Sequence, residues 1–129
     1  MMKEVPKILK ALFVVHFAAD IAFAVPLLLA PEAFLGLLGW TTIDPFAARL
    51  VAAALFGIGT ESLLSRNAPV ESYRSMLSLK IIWSSAAIAG MLLTVVQYPL
   101  FRGPAAFALI AVFVAFNIVW SYWRVKLHA

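Results

Sequence analysis

Four apolar stretches, each about as long as a membrane is thick, are separated in this chain by short breaks rich in proline, glycine, aspartate and asparagine. They cover residues 10–29, 45–65, 76–98 and 104–123. A helix rises ~1.5 Å per residue, so crossing ~30 Å of hydrocarbon takes about 20 residues. Alternation with period two is missing, and Ala and Leu dominate, which argues against barrel strands. The expected fold is all-α: a bundle of four transmembrane helices forming one domain over residues 1–129. Composition supports this class. Hydrophobic residues make up 64% of the 129 and charged residues 12%, and mean hydropathy is +0.99. A soluble fold of this length could not hide so much apolar surface.

The breaks carry local chemistry. Asp44-Pro45 reads as a helix start, with a capping carboxylate followed by proline at the first helical position. Gly103-Pro104 has the same form. Asn67 and Pro69 separate the second span from the third, and Tyr98-Pro99 ends the third. Pro26 lies inside the first span, where a kink is expected. Residues 31–40, from Pro31 to Trp40, are too short to span. They read as a short helix in the headgroup plane, or as a loop folded over one end of the bundle.

Basic residues set the expected orientation. Lys3, Lys7 and Lys10 precede the first span, Arg66 and Arg74 flank the second connection, and Arg124 and Lys126 follow the fourth. Only Arg49 and Arg102 lie on the other side. The excess places both termini in the cytoplasm of a multi-pass protein of the inner (cytoplasmic) membrane. Trp120, Tyr122 and Trp123 are then expected as an inner aromatic belt, with Trp40 and Tyr98 in the outer one. The net charge of +4 resides at span ends, so nucleic acid is not an expected partner. The interrupted first stretch lacks a small-residue cleavage site and reads as a retained span rather than a leader.

Ionisable residues inside the spans are the candidate site. These are His16 and Asp20 in the first, Glu61 in the second and Lys80 in the third. Each costs ~2.5–3.5 kcal/mol on insertion scales near the bilayer centre. A ruler of ~1.5 Å per residue puts His16 about 9 Å above Lys10 and Glu61 about 8 Å above Arg66. It puts Lys80 about 9 Å above Arg74 and Asn117 about 10 Å above Arg124. Asp20 lies one turn higher. Four helices thus bring polar groups to one level. His16 and Asp20, four apart, share a face and form a candidate proton relay. Lys80 shares a face with Ser84 and lies three residues before Trp83, a ring available for stacking. Glu61 and Lys80 are expected to pair, as a structural ion pair or as part of the site. Gly57-Ile58-Gly59 is read as close helix packing rather than a phosphate loop.

Several chemistries are excluded or disfavoured. The chain has no cysteine, which removes disulfides, thiolate metal sites and dithiol redox chemistry. His16 is the only histidine in a span, which speaks against haem. No metal is expected, a His16, Asp20 and Glu61 set being the one alternative. No cofactor is expected either, with a bound lipid or quinone as the alternative.

Pro31-Glu32-Ala33-Phe34-Leu35-Gly36-Leu37-Leu38-Gly39, Arg49 near the start of the second span, and the small residues Ala52-Ala53-Ala54 and Gly57-Ile58-Gly59 resemble small prokaryotic DoxX-like four-helix membrane proteins. The resemblance covers the first half of the chain. It implies a four-helix membrane fold and association with respiratory or thiol-redox complexes, though a thiol role would need cysteine. Small multidrug transporters, also of four short helices, place a glutamate in helix one where this chain has Asp20. Three functions follow as expectations. One is oligomeric transport or permeation of an ion, proton or small molecule through Asp20, Glu61 and His16. The second is an accessory or assembly subunit of a membrane complex, its buried charges fixing helix register. The third is a lipid- or quinone-binding protein or enzyme. Membrane lipids and a second copy of the chain are the expected partners.

Overall fold

The computed structural model describes residues 3–128. It is helical, with no strand among the described residues. Helix α1 spans Lys7–Leu29, α2 Pro31–Leu37, α3 Pro45–Leu64, α4 Val70–Gln97 and α5 Pro104–His128, with a single 3-10 turn at Pro99–Phe101. Helices α1, α3, α4 and α5 are long and apolar enough to cross a membrane. The chain divides into two compact units. One is a hairpin in which α1 lies along α3 with α2 against both, and the other is a hairpin of α4 along α5.

Helix starts follow the local signals. Asp44 caps α3, its Oδ1 accepting from the backbone N–H of Phe46 at 3.0 Å and of Ala47 at 3.2 Å. Prolines occupy the first positions of α2, α3 and α5, where the missing N–H is one that a helix leaves unpaired anyway. Pro26 is accommodated within α1. The segment after α1 is a helix rather than a loop. It closes on Gly39, whose φ of 101° is a left-handed conformation open mainly to glycine. The N–H of Trp40 then reaches the carbonyl of Leu35 at 3.0 Å, and that of Gly39 reaches Gly36 at 3.0 Å, completing a Schellman end. Phe34 of α2 meets Phe23 of α1 edge to face, 4.9 Å between centroids.

Two boundaries move outward from the hydropathy windows. Helix α4 begins at Val70, six residues before the apolar window, because Val70, Tyr73 and Leu77 continue its buried stripe. Helix α5 continues past residue 123, and its Leu127 is fully buried. Charged side chains end a hydropathy window without ending a helix.

The arginines explain how the long helices finish. A helix leaves its last four carbonyls without intrahelical donors. Arg49 Nε donates to Leu28 O at the end of α1 (2.9 Å). Arg66 Nη1 donates to Leu63 O at the end of α3 (2.6 Å). Arg102 Nε and Nη2 donate to Val95 O and Val96 O at the end of α4 (2.7 and 3.0 Å). Arg74 Nε and Nη2 share Leu127 O at the end of α5 (3.1 and 2.9 Å). Each long helix therefore ends on a guanidinium, which also suits the negative end of the helix dipole.

Candidate functional site

In the first hairpin the buried stripe of α1 runs Leu9, Phe13, His16, Asp20, Ala24 and Leu27, a spacing of three and four that keeps one face inward. His16 and Asp20 therefore point the same way. Their Nε2 and Oδ1 atoms stand 3.3 Å apart, with side chains 8% and 10% exposed. The facing stripe of α3 is Ala52, Leu55, Gly59 and Ser62. Gly59 lies directly against Asp20: a Cβ placed there would fall 2.7 Å from Asp20 Cβ and 3.3 Å from its Oδ2. The carboxylate thus sits against bare backbone. One turn along, Ser62 is buried and donates to Ile58 O at 2.9 Å. Of the Gly57-Ile58-Gly59 pair, only Gly59 makes a close approach; Gly57 faces open space.

Glu61 does not join this group. It is exposed on α3, in the helix's last turn, and its carboxylate accepts a hydrogen bond from the Oγ of Ser65, the residue that follows the helix. The expectation of a buried Glu61 is corrected on this point. Being next to Ser62 in sequence, it is turned about 100° away from the inward stripe. Among the described residues no three His, Asp or Glu side chains converge on a metal-sized site, so the His16, Asp20 and Glu61 set does not form.

The second hairpin gathers Lys80 and Asn117, which the depth ruler places level, with Ser84, one turn from Lys80 on the same face. The inward stripe of α4 is Val70, Tyr73, Leu77, Lys80 and Ser84. Asn117 of α5 donates from Nδ2 to Ser84 Oγ at 2.8 Å and lies 3.0 Å from Ser85 Oγ. Ser84 Oγ itself bonds back to Ile81 O at 3.3 Å. Lys80 is 2% exposed. Its ammonium lies 5.1 Å from the centroid of the Trp120 ring, within cation–π range. Trp120 stacks in turn on Phe116, 5.6 Å away. Farther along, Arg124 Nε donates to Ser78 Oγ at 3.0 Å.

One aromatic assignment changes. Trp120 was expected in an interfacial belt, yet it is 1% exposed and lies beside Lys80. Trp83, read from the sequence as a ring available for stacking, is half-buried and tilts against Phe113 at 6.4 Å. The sequence held a signal for Trp120: it follows Asn117 by three residues, on the same face of a helix already placed level with Lys80. Nothing in the sequence marked Gly59 over Gly57.

Chemically the two groups differ. His16 with Asp20 is an acid–base couple able to hold and pass a proton. Lys80 with Trp120, and Asn117 with its serines, are interhelical contacts that fix how α4 and α5 meet. No protein-family model matches the chain, and neither a curated protein nor a solved structure matches it.

Proposed function

We propose that the chain is a multi-pass protein of the cytoplasmic membrane, both termini inside, that moves an ion, proton or small molecule across the bilayer as a homo-oligomer. The observation that carries this reading is the His16–Asp20 couple, 3.3 Å apart and buried in the middle of an apolar helix. An ionisable pair at that depth costs several kcal/mol unless it is used or well compensated. Asp20 takes up the proton or cation, and His16 passes the proton along. Four helices enclose little volume, which is why a pathway would form between copies.

The membrane setting has its own support. Large apolar side chains lie exposed on all four long helices, among them Leu29, Phe46, Leu64, Ile82, Val96 and Val125. Surface of that kind is met by lipid or by other membrane helices, and helices satisfy their backbone groups without water. The test is flux in liposomes with a pH-sensitive dye inside and, separately, with labelled sodium or potassium. Asp20→Asn should reduce the transported flux at least tenfold; equal flux in both proteins sinks the role given to Asp20.

A second reading is supported by the other hairpin. Lys80 over Trp120, and Asn117 with Ser84 and Ser85, are polar contacts suited to fixing helix register. An accessory or assembly subunit needs no more, and the resemblance to DoxX-like proteins accords with it. Purification in mild detergent would then recover a stoichiometric partner, whereas a protein isolated alone as a stable oligomer speaks for transport.

A further inference from the structure

We infer that Gly59 is a positioning residue for Asp20: the side chain it lacks lets α1 and α3 cross where the carboxylate sits, and that crossing orients the carboxylate toward His16. The functional half of this inference rests on the transport reading of the His16–Asp20 couple; the geometric half does not.

The contact is specific. The first atom a Gly59 side chain would meet is Asp20 Cβ at 2.7 Å, and that atom is one bond from the backbone of α1. It cannot swing aside as a side-chain tip would. Carbon atoms rest at about 3.5–4.0 Å, so relief requires α1 to withdraw by about 1 Å. The next atoms met are Asp20 Oδ2 at 3.3 Å and Cγ at 3.5 Å. The backbone of α3 at Gly59 is therefore a wall on the Oδ2 side, while Oδ1 faces His16 Nε2 at 3.3 Å. With a methyl at Gly59, either the carboxylate is pushed round its Cα–Cβ bond or the helices part and it turns freely. Both outcomes change what His16 meets.

Gly57 supplies the internal control. It lies two residues earlier in the same helix, carries the same conformational cost as any helix-interior glycine, and has nothing within 4 Å of where its Cβ would be. A general effect of alanine on α3 would be shared by the two positions; an effect through Asp20 would belong to Gly59 alone.

The experiment compares Gly59→Ala with Gly57→Ala in the full chain, in a His128→Gln background so that His16 gives the one imidazole signal. Two quantities are read: the ring ¹⁵N resonances of His16 in detergent or lipid, and flux in liposomes. Gly59→Ala should move the His16 resonances and lower flux roughly ten- to a hundredfold, the scale of an ångström's misplacement. Gly57→Ala should leave the resonances in place and flux within about twofold. Unmoved resonances in Gly59→Ala, or equal effects in the two variants, overturn the inference. If the unsubstituted protein moves nothing, the transport reading falls while the resonances still decide the inference. If Gly59→Ala does not fold, the double variant Asp20→Gly with Gly59→Ala removes the clash and should restore a monodisperse, folded protein. Failure of the double variant to improve on Gly59→Ala overturns the inference as well.

Discussion

The two hairpins solve one problem in opposite ways. In the bilayer proposed for these helices there is little hydrophobic drive to associate, so contact comes from close backbone approach or from polar side chains acting as glue. The α1–α3 hairpin uses the first means: Ala52, Gly59 and Ser62 lie on α3's inward face, and at Gly59 nothing intervenes between the backbone and Asp20. The α4–α5 hairpin uses the second: Asn117 reaches Ser84 and Ser85, Arg124 reaches Ser78, and Lys80 covers Trp120. Small residues leave room for an ionisable couple at the crossing. Interlocked side chains do not leave room, but they hold register. The difference separates a hairpin suited to chemistry from one suited to support.

The sharpest way to break this division is to exchange the expected consequences. Asp20→Asn should abolish most flux, by tenfold or more, while the protein stays folded. Asn117→Leu should do the reverse, with flux per folded molecule unchanged within about twofold and stability reduced by about 1–2 kcal/mol. That figure reflects interhelical hydrogen bonds worth ~0.6 kcal/mol on average and up to ~1.7 in membrane proteins. Unfolding of the reconstituted protein by steric trapping measures it. If Asn117→Leu stops flux without loss of stability, the second hairpin holds part of the site and the division fails.

Smaller effects test the connections. Gly39→Ala forces a side chain into the left-handed region at φ 101° and should cost about 1–2 kcal/mol, read as a lowered thermal midpoint. Helix α2 belongs to the first hairpin, so the loss should appear in exchange protection of α2 and α3 before it appears in α4. Arg49→Gln and Arg102→Gln each remove a guanidinium from a helix end, in the first and second hairpin respectively. Both arginines are exposed, so each substitution should cost only a few tenths of a kcal/mol. Similar shifts in the two variants would show that the helices of both hairpins are finished alike despite their different interiors. A large loss from one alone would give that arginine a further task.

How much of this could be read from residues alone varies with the kind of question. Spans and breaks were legible because they depend on length, hydropathy and local backbone chemistry: Asp44 caps where it should, and α5 begins at Pro104 after Gly103. The pairing of His16 with Asp20 followed from helical spacing within one element. The depth ruler puts Asn117 level with Lys80, one turn from the Ser84 that it bonds, since rise per residue is fixed. Rotation about a helix axis was not legible. These helices are apolar on every side, so no amphipathic stripe tells the inward face from the outward one. For that reason Glu61 was expected inside and lies outside, Trp120 was assigned to a belt and lies beside Lys80, and Gly57 and Gly59 looked equivalent.

The arginines show the same boundary from another side. By sequence they are a charge count bearing on topology. In the fold, Arg49, Arg66, Arg74 and Arg102 each bond the terminal carbonyls of a helix, in three cases across a turn or from a neighbouring helix. The sequence by itself determined the all-helical class, the four long apolar helices, the breaks between them and the couple formed by His16 and Asp20, because all of these depend on neighbours along the chain. The tertiary structure alone decided which glycine faces the carboxylate, which ring meets the ammonium and which carbonyl each arginine bonds. Those contacts depend on how each helix is turned against its partner, and nearly uniform hydrophobicity leaves that turn to packing.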